Sequence, residues 1–171
     1  MLMPHLTEES LGKSLKTIFN AEFTRDRTVP NSGIASRPDF RNDDLMLIVE
    51  FDGFRHFNCA KVIIADNKKD AIYQNMGYRI VRIPYFVQLD SVTIKHFFNI
   101  DVQWDLEFPH GFISDKALLP ADFNALGILK YENIMLALPE YVRISIESSL
   151  KYKASSTNYL EVFYKELSLS F

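Results

Sequence analysis

An apolar run that ends in two acids, residues 45–52 (LMLIVEFD), is the feature that most constrains the fold of this chain. Five consecutive apolar residues are typical of a central strand that is buried on both faces. Glu50 and Asp52 follow at alternate positions, and Gly53 ends the strand. Because strand side chains alternate between faces, we expect the two carboxylates to point to the same side of the sheet.

Three acids are expected to meet at the end of this strand. The preceding strand returns through a short turn, which places Asp39 beside Glu50 on a neighbouring strand. Carboxylates next to an apolar run are costly to bury without a counter-charge. A hard divalent cation, Mg²⁺ or Mn²⁺, bound by Asp39, Glu50 and Asp52, is the simplest partner. The alternative is that these acids face solvent at the strand ends.

The first 85 residues predict the element order α-β-β-β-α-β. Thr7 suits the N-cap of a first helix, with Glu8 and Glu9 in its first turn. Gly77 suits the position that follows a long second helix. A strand–helix–strand unit implies a right-handed crossover and a parallel strand pair. The predicted strands are residues 22–29, 34–40, 45–52 and 78–83, with a polar turn at residues 41–44.

The second half of the chain predicts mostly helices. They are expected at residues 91–99, 121–127, 131–138, 141–152 and 159–167. The fold class is therefore α/β, a mixed sheet flanked by helices with a mainly helical C-terminal extension. We place the core at residues 1–90 and the extension at residues 91–171, and the role of the extension is open.

Charge and cysteine content narrow the class of protein. The net charge is −3, whereas DNA-binding proteins are often basic, although the remaining Lys and Arg residues can still form a basic rim. Cys59 is the only cysteine, so neither an internal disulfide nor a zinc site with several cysteines is possible, and a reducing cytoplasm is the default compartment. No segment approaches the roughly 18 apolar residues of a membrane span, so no membrane partner is expected.

Two further residues are candidates for proton and charge chemistry. His56 lies four residues after Asp52, where it can act as general base, as general acid or as a phosphate contact. Lys69 shares a helix face with Asp66 and Asp70 and can reach a phosphate or stabilise a charged transition state. The alternatives are an ordinary loop histidine and a solvated cluster of helix charges.

These residues fall in an ordered set of motifs, RPDF, LIVEFDGFRHF and ADNKKDAIYQNMGYRIVRIP. The set resembles the very-short-patch-repair-like branch of the PD-(D/E)xK nucleases, over about residues 5 to 88. The resemblance implies a restriction-endonuclease-like core that binds one or two metal ions and hydrolyses DNA by in-line attack of water. It also implies products that carry 5′-phosphates.

The resemblance assigns roles to particular residues. Asp39 is similar to the first acid of the family motif, a metal ligand, and Glu50 to the second. Asp52 stands where many members have lysine, which leaves His56 or Lys69 to orient the attacking water. The backbone carbonyl of Phe51 is implied as a further ligand. An acid of the first helix completes the site, and of Glu8 and Glu9 we favour Glu9 slightly. The expected substrate-binding residues are Arg37, Arg55 and Lys68.

The sequence therefore predicts a metal-dependent DNA endonuclease of restriction, repair or mobile-element type. Its partner would be DNA, and a homodimer is possible. One alternative is a catalytically inactive nuclease fold that binds nucleic acid or a protein, which the acidic net charge favours. Another is a structural protein whose motif match is accidental.

Overall fold

The computed structural model describes residues 5–106 and 123–154. In this part of the chain the helices are α1 (Glu8–Phe19), α2 (Arg55–Asn58), α3 (Ala60–Asn75), α4 (Ser91–Phe98), α5 (Ala125–Ala137) and α6 (Glu140–Ala154). The strands are β1 (Thr24–Arg25), β2 (Phe40–Asn42), β3 (Leu47–Asp52) and β4 (Arg79–Pro84). The predicted helix at residues 159–167 and the first two residues of the one predicted at 121–127 lie outside the described residues.

The four strands form one mixed sheet in the order β1-β2-β3-β4. The first two pairings are antiparallel, and β3 runs parallel to β4 with Glu50 opposite Arg82. Helices flank this sheet, as the sequence predicted, and the predicted element order is confirmed with the short helix α2 added before α3. The predicted parallel pair is confirmed as well.

The bounds predicted for the first two strands are wrong. The first strand has two residues, and the second begins at Phe40 and continues through Asn42, where a turn was expected. Its polar residues can lie in a buried strand because each side chain donates to a backbone carbonyl. Arg41 donates to the Thr28 carbonyl at 2.9 Å, and the Asn42 side-chain amide donates to the Glu22 carbonyl at 2.9 Å. The chain then turns at residues 43–46.

Helix α1 begins where its cap predicts. Thr7 Oγ1 accepts a hydrogen bond from the Ser10 amide at 3.2 Å, and the Ser10 hydroxyl in turn accepts one from the Thr7 amide at 2.9 Å. The apolar face of the helix buries Leu11 and Leu15 in a cluster that includes Phe40 and Val49. This packing places Glu8, in the first turn of α1, near Asp39 at the start of β2.

The described part of the extension packs directly on the core. An apolar cluster combines residues of α2 and of the segment after β4 with residues of α5 and α6: Phe57, Tyr85, Phe86, Val87, Phe123, Tyr131, Met135, Leu138, Val142 and Ile146. The two helices therefore cover α2 and the end of β4. Among the described residues, no helix has both the length and the apolar character that a bilayer crossing requires.

Candidate active site

Asp39 and Glu50 lie side by side at the edge between β2 and β3. Asp39 immediately precedes β2, and the register pairs the next residue, Phe40, with Val49. The Asp39 amide donates to Glu50 Oε2 at 3.3 Å, and the Phe51 amide donates to Asp39 Oδ2 at 2.7 Å. Glu50 is 3% exposed. The predicted proximity of these two carboxylates is confirmed.

The ammonium group of Lys69 acts on both carboxylates. Lys69 Nζ lies 2.8 Å from Glu50 Oε1, and that oxygen is buried and accepts no hydrogen bond of normal geometry among the described residues. Burial, and then the charge of Glu50, raise the pKa of Asp39 to about 7. Two acids and one lysine leave the pair short of positive charge, which is the electrostatic situation that a divalent cation relieves.

The pair opens into a pocket of about 560 Å³. Six predicted site residues line it, namely Arg37, Asp39, Glu50, Arg55, His56 and Lys69.

No family model, curated protein or solved structure matches the chain. Function is therefore inferred from the arrangement of side chains around this pocket.

Asp52 does not join the other two acids. It is fully buried, with Arg82 Nη1 at 2.6 Å from Oδ1 and Lys130 Nζ at 2.7 Å from Oδ2. Two basic side chains thus neutralise the carboxylate that was predicted as a third metal ligand. Among the described residues, the group of three whose ligand atoms lie within 4.8 Å of one another is Asp52, His56 and Asp66. The predicted meeting of Asp39, Glu50 and Asp52 around one cation is therefore not found in this structure.

Glu8, rather than Glu9, is the glutamate of α1 that faces the pocket. Glu8 lines it and adds to the negative potential at Asp39, while Arg25 donates to Glu8 Oε1 at 2.9 Å. Glu9 points to solvent and pairs with Lys13 one helical turn later at 3.0 Å. The slight preference for Glu9 was thus wrong about which glutamate faces the site, because helical phase separates neighbours by about 100°.

The predicted substrate-binding residues fall into two groups. Arg37 and Arg55 are exposed and line the pocket, so both can reach an anionic ligand there. Lys68 is exposed and is not among the lining residues, since it precedes Lys69 on α3 and faces another way. His5 lines the pocket as well and was missed, because nothing in its sequence context links it to the acids.

His56 forms a dyad with Asp66 across α2 and α3. The two side chains meet with Nδ1 at 2.5 Å from Oδ2. Burial raises the pKa of Asp66, but the His56 hydrogen bond and the charges of Arg82 and Lys69 outweigh burial, so the net pKa lies below the ordinary value. An ionised carboxylate only accepts hydrogen bonds, so Nδ1 is the donor. A neutral His56 then carries its free lone pair on Nε2, on a side chain that lines the pocket.

Arg82 contacts three acids, Asp52, Asp66 and Asp70, that are not among the lining residues of the pocket. Its guanidinium donates to both Asp70 oxygens at 2.7 Å and to Asp52 at 2.6 Å, and its Nη2 lies 3.5 Å from Asp66. Burial lowers the pKa of Arg82, but the Asp70 hydrogen bonds and the charge of Asp52 more than reverse that effect, so its pKa is raised.

The affinity for a divalent cation is expected to rise with pH. A cation that binds Asp39 must displace the proton that the raised pKa of about 7 retains. The dissociation constant for Mn²⁺ should fall about tenfold per pH unit from pH 5 to pH 7 and level off above, measured by calorimetry in buffers of different ionisation enthalpy.

In the apo protein the Asp39 carboxyl group makes the free energy of unfolding fall as pH rises from about 4 to 7, because the unfolded chain releases the proton first.

The Asp39→Asn variant is the control for this pH dependence. This variant lacks the ionisable carboxyl group at position 39, so its residual affinity for Mn²⁺ should vary less steeply with pH. An affinity of the unsubstituted protein that is the same at pH 5 and pH 7 would contradict the assignment.

Proposed function

We propose that this chain is a metal-dependent endonuclease that hydrolyses DNA phosphodiester bonds on a restriction-endonuclease-like core. The observation that carries the proposal is the pair Asp39–Glu50 with Lys69 Nζ 2.8 Å from Glu50, since all three side chains line one pocket. An acid just before β2, an acid on β3 and a lysine of α3 supply both a cation site and a fixed positive charge. The sheet order and the motif resemblance support the same core.

Asp39 and Glu50 are the residues that would hold the cation, Mg²⁺ or Mn²⁺, with the Phe51 carbonyl as a further candidate ligand. Oxygen ligands of this kind suit both the charge and the hardness of such an ion. A bound divalent cation supplies Lewis acidity to a phosphate and lowers the pKa of a coordinated water. The Phe51 carbonyl accepts a hydrogen bond from the Gly53 amide at 3.1 Å, and a carbonyl oxygen has a second lone pair for another contact.

The remaining pocket residues divide the work of binding and proton transfer. Arg37 and Arg55 are exposed at the pocket and suit contacts with phosphates on either side of the scissile bond. Lys69 is positioned to stabilise negative charge that develops next to Glu50. His56, oriented by Asp66, offers Nε2 as acceptor for a proton from water. Cutting DNA in this way needs no cofactor beyond the cation.

Supercoiled plasmid tests the proposal. The purified protein should nick or linearise plasmid in the presence of Mg²⁺ or Mn²⁺ and leave it intact with chelator. A folded Asp39→Asn/Glu50→Gln variant should leave it intact under all conditions. Because a narrow target sequence would hide cleavage on one plasmid, a pool of genomic DNA is digested in parallel. Absence of metal-dependent cleavage on both substrates would contradict the proposal.

A second function has one observation in its favour. Lys69, Arg82 and Lys130 neutralise Glu50 and Asp52 from within the protein, so the fold does not require a metal to balance these charges. An inactive nuclease fold that binds nucleic acid or a protein fits that balance. It predicts retention of labelled DNA or of a partner protein without cleavage, and retention that is insensitive to chelator.

A further inference from the structure

Three residues on one side of α5 contact the short helix that carries His56. The backbone N–H of Asn124, the N-cap of α5, donates to the Phe57 carbonyl at 3.3 Å. Lys130 Nζ donates to the His56 carbonyl at 3.3 Å. Between them lies Gly127, where a Cβ atom would sit 1.6 Å from the Phe57 oxygen. The close approach of the two helices therefore requires glycine at that position.

These contacts supply hydrogen-bond donors for backbone carbonyls of the four-residue helix α2. The last four carbonyls of any α-helix have no partner within the helix, and in α2 (Arg55–Asn58) that includes every residue. Arg55 is satisfied by the Cys59 amide at 3.3 Å. The next two carbonyls, those of His56 and Phe57, receive their donors from α5. The conformation of α2 thus depends on an element that lies outside the predicted core.

Lys130 also reaches the buried end of β3. The same ammonium group lies 2.7 Å from Asp52 Oδ2 and 4.7 Å from the centre of the Phe57 ring. Its side chain is 18% exposed, so the ion pair is shielded from water. One side chain therefore ties the C-terminal end of β3, the backbone of α2 and helix α5 to one another.

We propose that Lys130 is a positioning residue for His56. By holding the His56 carbonyl and Asp52 together, it fixes the turn from β3 into α2 and keeps the imidazole against Asp66 at the wall of the pocket. The extension is then part of the functional unit, through α5. The catalytic consequence of this placement rests on the proposed function, whereas the placement itself does not.

Imidazole resonances test the placement directly. The ¹⁵N signals of the His56 ring, assigned by their loss in His56→Gln, report whether Nδ1 carries a hydrogen-bonded proton. Lys130→Met keeps the aliphatic stem over Phe57 and removes both donor contacts, so these signals should shift or broaden. Lys130→Arg, which keeps a donor and the charge, should restore them in part. Lys95→Met is the matched control, because Lys95 lies on α4 and pairs with the exposed Asp101, so its loss should leave His56 unchanged.

A second variant guards against loss of the fold. Removing Lys130 alone leaves buried Asp52 with Arg82 as its remaining Lys or Arg partner among the described residues, whereas Asp52→Asn/Lys130→Met removes the unbalanced charge along with the lysine. Because Asp52 Oδ1 lies 3.6 Å from His56 Nδ1, the double variant is compared with Asp52→Asn alone. The His56 signals should differ between the two, since only the double variant has lost the donor to the His56 carbonyl. The proposal is overturned if the His56 signals of folded Lys130→Met stay within the range of the Lys95→Met control, or if those of the double variant coincide with those of Asp52→Asn.

The cleavage assay separates this proposal from the previous one. In Lys130→Met, kcat should fall about 10–100-fold while KM for DNA changes little, as expected when support for a reacting group is lost. If wild-type protein does not cleave DNA but the His56 signals respond to Lys130, the nuclease proposal fails and the positioning role stands. If the protein cleaves DNA and Lys130→Met leaves kcat and the His56 signals unchanged, the positioning role fails alone.

Discussion

We expect the Glu50→Gln variant to lose metal-dependent DNA cleavage by at least about 10²-fold while it keeps its fold. Glu50 is the more buried of the two carboxylates that would hold the cation, and an amide in its place removes one negative charge without changing shape. The substitution also removes the charge that helps to raise the pKa of Asp39. Asp39 should then ionise at lower pH, yet a single carboxylate binds Mg²⁺ weakly.

Initial rates of plasmid nicking against Mn²⁺ concentration measure this loss. Glu9→Gln is the matched control, because it makes the same chemical change on an exposed glutamate of α1 that pairs with Lys13 away from the pocket. That variant should cleave at the wild-type rate. Thermal melts of both variants exclude unfolding as the cause. Equal rates for Glu50→Gln and Glu9→Gln would mean that Glu50 does not take part in the reaction.

The Arg82→Met variant should lose about 3–5 kcal/mol of folding free energy. Arg82 is the shared partner of Asp52, Asp66 and Asp70, and its own side chain is 15% exposed. Without the guanidinium, Asp52 keeps Lys130 and Asp66 keeps His56 and Lys69, but Asp70 loses both of its close hydrogen bonds. Removing one member of a buried ionic network leaves charges without compensation, which costs more than an exposed ion pair contributes.

Urea denaturation at pH 7 measures the change in free energy of unfolding. Arg25→Met is the control, since Arg25 pairs with Glu8 at the exposed surface, where loss of an ion pair typically costs no more than about 1 kcal/mol. Arg82→Lys should fall between, because lysine keeps the charge but cannot form two parallel bonds to Asp70. Equal stability losses for Arg82→Met and Arg25→Met would show that the network contributes nothing beyond a surface pair.

Local patterns predicted the elements whose own residues determine them. The apolar run before Glu50 specified a buried strand, and that strand lies between β2 and β4 in the sheet. Thr7 specified the start of α1, because an N-cap acts within its own turn. The pairing of Asp39 with Glu50 followed from a short connection between antiparallel strands, which leaves few registers open. For these features the relevant interactions span a few residues or a single turn.

Other features depend on packing between distant segments. One partner of Asp52 is Lys130, which lies 78 positions further along the chain. It lies on α5, and no local sequence pattern predicts where that helix packs. The choice between Glu8 and Glu9 depends on the rotation of α1 against the sheet, which Leu11 and Leu15 set by their burial. The boundaries of β2 depend on side-chain bonds to the Thr28 and Glu22 carbonyls, so the polar residues at 41 and 42 resembled a turn.

The most direct test of the account is the position of a bound cation. Crystals grown with Mn²⁺ can be measured at a wavelength where manganese scatters anomalously, so the ion is located without reference to the protein chemistry. The account predicts a peak within coordination distance of carboxylate oxygens from both Asp39 and Glu50, absent in crystals of Asp39→Asn/Glu50→Gln. A peak at Asp52, His56 and Asp66 instead, or no peak at the pocket at saturating Mn²⁺, would contradict it.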